Sequence, residues 1–201
     1  MVETDPIEEK PSPGRIPDLN SNWCTDTPVR KLNVNDAAKA RELSAVSFPI
    51  YYPMDYFIDS FANQDRCFSA GIFDPYPDGI LLGFVIALPD YVADEDRAQF
   101  YSDAERDLIE KNDRKVAYIA SLAVHPQAMR RRIGTRLINS LLFYLQQSKP
   151  ETSCVFLHVK TDNDRAMQFY ERNQFIRHSF IKDYYNENVH AYIYARQIRL
   201  R

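Results

Sequence analysis

Residues 116–147 constrain the fold more tightly than any other stretch of this chain. VAYIASLAV (116–124) carries no charge and mixes β-branched, aromatic and small side chains, which predicts a strand buried on both faces. After five residues comes the turn Arg130-Arg131-Arg132-Ile133-Gly134-Thr135. Ile133, Leu137, Leu141 and Leu145 then recur at every fourth position, the apolar stripe of one helix face to about Gln147. A buried strand feeding a helix through a basic turn belongs to an α/β protein.

The flanking segments extend that sheet. Val29 to Val34 is a short strand, and Asn35 or Asp36 is placed to cap a helix through Ser47. The prolines of FPIYYP (48–53) end that helix, because the residue before a proline avoids the helical region. A second helix is predicted from Met54 to Ala62, then strands over Cys67–Phe73 and Ile80–Leu88 about a Pro/Gly/Asp turn. Residues 89–114 are polar and charged; they predict a helix around Glu95–Lys111 inside a surface insertion. Ser153–Val159 is a further buried strand. Asp162, Asn163 and Asp164 offer caps for a short helix, and Gln174–Phe180 and Val189–Ile198 close the chain as strands. The fold class is α/β with a mixed sheet. Residues 1–27, rich in proline and acidic side chains, read as a disordered tail with Trp23 as an anchor, ahead of one domain over 28–201.

Composition narrows the function by exclusion. A net charge of −3 gives no general attraction to nucleic acid or an anionic membrane. No run approaches the roughly 20 apolar residues of a membrane-spanning helix, and the acidic start, Met1 to Lys10, is unlike a signal peptide. Cys24, Cys67 and Cys154 are odd in number and scattered, so a reducing, cytoplasmic setting is the plainer expectation. The four histidines show no HExxH-like spacing, which argues against a metal site.

The basic turn carries the chemistry. A helix start presents unpaired N–H groups and the positive end of the dipole, so it suits phosphate, and three arginines add charge-assisted contacts. Gly134 would let the backbone approach such a group closely. By itself the turn reads equally as a solvated basic cap, and neither GxxxxGK[ST] nor GxGxxG occurs.

Taken in order, VAYIASLAV, RRRIGTRLINSLL, FLHVKTDNDRAMQFYERNQF and DYYNENVHAYIY resemble the GNAT superfamily. Within it they resemble the N-terminal acetyltransferases of the NatF type and, more distantly, the catalytic subunit of NatE. The likeness runs from about Val29 to Arg199, with FPIYYP similar to the substrate loop. It implies the GNAT fold, a central mixed, mostly antiparallel sheet flanked by helices, and acetyl-CoA as co-substrate. The resemblance places Leu122, Ala123 and Val124 along the pantetheine arm and Arg130, Arg131, Arg132, Ile133, Gly134 and Thr135 around the diphosphate. Asn163 and the segment Tyr170, Glu171, Arg172, Asn173 line the rest, with Tyr170 near the sulfur. Two positions depart from the family's phosphate signature, Met129 and Arg132, and Tyr51 stands where a glutamate is usual.

By the same resemblance Tyr118 and His158 are the catalytic pair, collecting the proton of the attacking amine through water. Imidazole, near pH 6.5, suits that work directly, whereas a phenol near 10 needs help. Tyrosine and histidine on buried strands are otherwise ordinary hydrogen-bonded core residues. The resemblance also implies that Phe48, Pro49, Ile50 and Tyr52 on the first loop, Ala120 on the strand, and Tyr184 and Tyr185 on the last loop form the peptide-end pocket. Its apolar walls suit an initiator methionine. An α-amine titrates near about 8 and a lysine near about 10.4, so the former needs the weaker base. Two alternatives stay open: a lysine acetyltransferase, and a non-catalytic acyl-CoA-binding module. The expected partners are protein N-termini and no nucleic acid. NatF-type enzymes attach to the cytosolic face of Golgi-type membranes by an amphipathic C-terminal tail, and no such anchor is visible here, so membrane association stays open.

Overall fold

The computed structural model describes residues 27–75, 79–91 and 101–198. Predicted features within 1–26, including Trp23 and Cys24, and the first part of the 95–111 helix lie outside the described residues. Strand β1 is only Arg30–Lys31. A 3-10 turn, Val34–Asp36, follows, and it is Asn33 that caps it, accepting from the Asn35 N–H while the Asp36 carboxylate returns to the Asn33 N–H. Asp36 is the N-cap residue of the helix that follows, as expected, but its carboxylate is spent on this reciprocal box and makes no cap bond to that helix. That helix is α1 (Ala37–Ser47), and α2 spans Met54–Ala62 after the proline break.

Strands β2 (Phe68–Phe73), β3 (Leu81–Leu88) and β4 (Val116–Val124) form an antiparallel run, with helix α3 (Asp103–Lys111) between β3 and β4. Helix α4 (Ile133–Ser148) leads to β5 (Cys154–Lys160), α5 (Asp164–Arg172), β6 (Ile176–Asn186) and β7 (Val189–Gln197). The seven strands order as β1-β2-β3-β4-β5-β7-β6, and β4 with β5 is the parallel pair. A parallel pair needs a crossover, and α4 supplies it.

Strand alternation sorts the core into two faces. On one face α4 lays Ile133, Leu137, Leu141 and Leu145, each at most 1% exposed, onto Ala117, Ile119, Val155 and Leu157. Burying such side chains contributes about 1.5–3 kcal/mol apiece. On the other face α1 and α2 cover Leu81, Phe84 and Ile86, while α3 covers Val116, Cys154 and Phe156. The last contact corrects the surface-insertion expectation. Leu108 and Ile109 of α3 are buried, so this helix roofs the sheet over the β4–β5 junction. Among the described residues no helix is long and apolar enough to cross a membrane.

Candidate active site

The site is built where two neighbouring strands part. Strand β4 pairs with β5 only through Val116–Tyr118 against Cys154–Phe156. Beyond Tyr118, β4 keeps its bonds to β3, and β5 keeps its bonds to β7 through Lys160. A bulge at Ala120 helps drive this divergence: the β3 register passes from Ile119 to Ser121 and leaves Ala120 without an opposite number. Leu122, Ala123 and Val124 therefore lie beyond the last β4–β5 pair, on the stretch of strand that faces the parting.

Tyr118 and His158 meet at the apex. Tyr118 stands opposite Phe156, and His158 is two residues further along β5, so both side chains fall on the α3 face. The Tyr118 hydroxyl is 3.2 Å from His158 Nδ1. Tyr184 arrives from β6: its ring stacks on the imidazole, centroids 4.1 Å apart and 20° between planes, with its hydroxyl 3.0 Å from the same Nδ1. The two tyrosine hydroxyls share the same imidazole nitrogen. Tyr184 and Tyr185 thus belong to a strand, not to the loop predicted for them, and Tyr184 joins the proton-handling cluster itself.

Burial sets the ionisation of this cluster. The His158 side chain is 2% exposed, and loss of water holds its imidazolium down to about 4, with the nearby Glu105 opposing that drop. The imidazole expected to titrate near its ordinary value is instead neutral across the physiological range. Burial likewise raises Tyr118 well above 10, reinforced by Tyr184, and raises Tyr184 to about 12. All three groups rest neutral, and Nδ1 is their shared junction.

Glu105 is the residue that sequence reasoning missed. Its carboxylate lies 3.5 Å from His158 Nε2 and is as buried as the ring it faces, at 5% exposure. The signal was present as Ser102-x-x-Glu105, a capping box that opens α3: the Ser102 N–H and hydroxyl both donate to Glu105 Oε2 at 2.8 Å. What no local pattern conveyed is that this cap sits over β5. The Tyr91 hydroxyl donates to Oε1 at 3.3 Å, and its ring packs on Tyr118.

The basic turn is arranged differently from its sequence reading. The left-handed backbone falls at Arg130 (φ 62°) and Arg132 (φ 59°) rather than at a glycine. Arg132 is the N-cap of α4 and no side chain caps that end. Alternating backbone handedness ahead of an uncapped helix turns N–H groups to a common side, the form of an anion-binding nest. Gly134 has another cause: a Cβ there would come within 2.8 Å of the Phe169 ring, so its absence lets α5 pack against the start of α4. Ile133 is core, and Thr135 is half-buried in the first turn.

The remaining predicted residues divide. Phe48 and Tyr52 pack edge to face, centroids 5.5 Å apart, and Tyr52 stacks on Tyr56, whose hydroxyl is 3.0 Å from Ser121 Oγ. Pro49 and Ile50 are exposed beside them, as is Tyr51. Burial raises the pKa of both Tyr184 and Tyr185, with a smaller further push from Tyr52 of the first loop. The α5 residues have structural work within their helix and against β7. The Asn163 side chain caps it on the Ala166 N–H, Glu171 accepts from the Tyr194 hydroxyl at 3.0 Å, and Asn173 closes its C-terminal end on the Phe169 carbonyl. Arg172 is exposed, and Tyr170 is buried on Phe175 with its pKa raised by burial and by Tyr185.

Known proteins agree with this architecture. An N-alpha-acetyltransferase 60 of Xenopus tropicalis is 28% identical over 165 residues, covering 80% of this chain and 64% of its own. The corresponding Drosophila melanogaster protein is 27% identical over 177 residues with the same coverage, so the chain spans just under two thirds of the length of these curated relatives. The crystal structure of Arabidopsis thaliana NAA60 in complex with a bisubstrate analogue superposes with a TM-score of 0.70 at 25% identity, covering 87% of this chain and 99% of that one. Residues 37–175, the span from α1 through the parted strands to the end of α5, match the acetyltransferase (GNAT) family, and the chain belongs to that family.

Proposed function

We propose that this protein transfers an acetyl group from acetyl-CoA to the α-amine of protein N-termini, methionine-starting ones among them. The observation that carries this reading is the parting of β4 from β5 directly after Tyr118, with Tyr118, His158 and Tyr184 gathered at its apex. The residues present fit the co-substrate: a strand edge at Leu122–Val124 for the pantetheine amides, and the uncapped Arg130–Thr135 nest for the diphosphate. When bound, acetyl-CoA supplies a thioester carbonyl that a neutral amine can attack.

The chain's own groups then have separable tasks. An α-amine, with a pKa near about 8, is partly neutral at pH 7 and needs no strong base to deprotonate it beforehand. Its proton becomes acidic only as the new C–N bond forms, so a weak acceptor suffices at that moment. His158, held neutral by burial, offers that acceptor across the physiological range, with Tyr118 and Tyr184 bridging to it. Phe48 and Tyr52, packed on the α1–α2 face, with the exposed Ile50 beside them, provide an apolar wall for a large first side chain.

The test is CoA release by the purified chain with acetyl-CoA and peptides whose N-termini are free or blocked. Free methionine-starting peptides are expected to be consumed and blocked ones, with or without an internal lysine, to be spared. Tyr118→Phe and His158→Ala should each lower the rate by about 10²–10⁴-fold with acetyl-CoA affinity retained. Acetylation of the blocked peptides through lysine, or full turnover in His158→Ala, would overturn the reading.

A further inference from the structure

The geometry points to Glu105 as the positioning residue of the site: its carboxylate holds the His158 proton on Nε2 and so leaves Nδ1 as the acceptor for the substrate's proton. This rests on the reading of His158 as the base. Three elements converge on the imidazole, and each presents one titratable group to it: Tyr118 from β4, Tyr184 from β6 and Glu105 from α3. The two phenols crowd Nδ1, and the carboxylate faces Nε2. Phe156 closes another side with an apolar ring.

These placements decide between the two neutral tautomers. With the proton on Nδ1, Nε2 would present a lone pair to a carboxylate inside a dry pocket, and the phenols would lose their acceptor. With the proton on Nε2, the protonated nitrogen lies 3.5 Å from a carboxylate oxygen, whose charge favours it, and Nδ1 accepts from a phenol. Nε2 is buried and makes no hydrogen bond among the described residues, and the Glu105 carboxylate 3.5 Å away is the charged group beside it, so Glu105 discriminates by charge. As the amine proton passes to Nδ1, the imidazolium that forms is stabilised by the same carboxylate, which itself gains no proton. Glu105 is in turn held by Ser102 and Tyr91. Orientation of the base is thereby delegated to a helix outside the strand–turn–helix core.

The tautomer can be read directly by ¹⁵N NMR of histidine-labelled full-length chain without acyl donor or peptide, the His158 signals being assigned by their loss in His158→Gln. The wild type is expected to show a single neutral tautomer protonated on Nε2 at pH 7. Glu105→Gln offers Nε2 an amide that can either accept or donate, so the tautomers should mix. The rate of acetyl transfer should then fall about 10–100-fold with the KM for acetyl-CoA unchanged, and Glu105→Asp should restore part of both. Ser102→Ala removes the α3 cap but keeps the carboxylate; it should lose thermal stability and keep the Nε2 tautomer. Protonation on Nδ1 in the wild type, an unchanged spectrum in Glu105→Gln, or tautomer mixing in Ser102→Ala equal to that in Glu105→Gln would each overturn the assignment. Failure of the wild type to acetylate peptides would sink the functional reading alone, since the tautomer is measured without turnover.

Discussion

At the scale of single residues, the least expected feature is the backbone at Arg132. A left-handed residue with a Cβ costs about 1–2 kcal/mol, yet the chain places arginine there, at the N-cap of α4, where glycine would be strain-free. The side chain must therefore repay the conformation in another currency, and charge beside an uncapped helix end is the one on offer. Arg132→Gly is expected to leave stability level or up by less than about 1 kcal/mol, since relief of strain is offset by a floppier unfolded chain. The same variant should bind acetyl-CoA several-fold more weakly. Chemical denaturation and isothermal titration on one preparation check both signs. The residue scale also shows the limit of motif reading: Gly134 was legible as a glycine of the phosphate turn, but Phe169 is what requires it to lack a side chain.

Between elements, the tightest tolerance is the seam where β3 passes under α4. A Cβ on Gly83 would lie 2.7 Å from Ile133 Cγ2 and 2.9 Å from the Ala123 carbonyl oxygen, the second of which is backbone and cannot swing aside. Gly83→Ala is expected to destabilise the fold by about 1–3 kcal/mol, measured as a lowered denaturant midpoint. It should also weaken acetyl-CoA binding, because the displaced atoms belong to the strand edge and the first residue of α4, the two walls of the proposed site. Elements were the part of the fold most open to sequence reasoning. The helices at Met54–Ala62 and Ile133–Ser148 and the strand at Val116–Val124 follow the apolar periodicity and the prolines closely. The role of α3 was misjudged, because its charged sequence hides two apolar residues and a buried glutamate, and amphipathicity says nothing of which surface receives a helix.

Across the whole molecule, the buried His158 links the site to global stability. Its folded pKa lies below the unfolded value of 6.5, so the unfolded chain binds the extra proton first. The contribution to stability is complete above pH 6.5 and is lost as the pH falls from there toward about 4. Stability of the wild type should drop through that window, and a His158→Gln variant should drop less. Denaturant midpoints at a series of pH values test this, and parallel curves for the two proteins would refute it. Glu105 moderates the effect by favouring the imidazolium, so the same measurement on Glu105→Gln should show a steeper fall than the wild type.

What the sequence determined alone is local: helix stripes, strand alternation, the proline break after Ser47, and a basic turn before an apolar helix. Each rests on spacings of a few residues, within which backbone geometry decides which side chains share a face. It also brought Tyr118 and His158 into view as candidates, through motifs that lie on separate strands. Tertiary structure alone decided that β4 and β5 part after Tyr118, that Tyr184 and Glu105 meet the imidazole at its two different nitrogens, and that His158 is neutral. Those outcomes depend on pairing between segments far apart in the chain and on the water that their packing excludes, and no local pattern carries either.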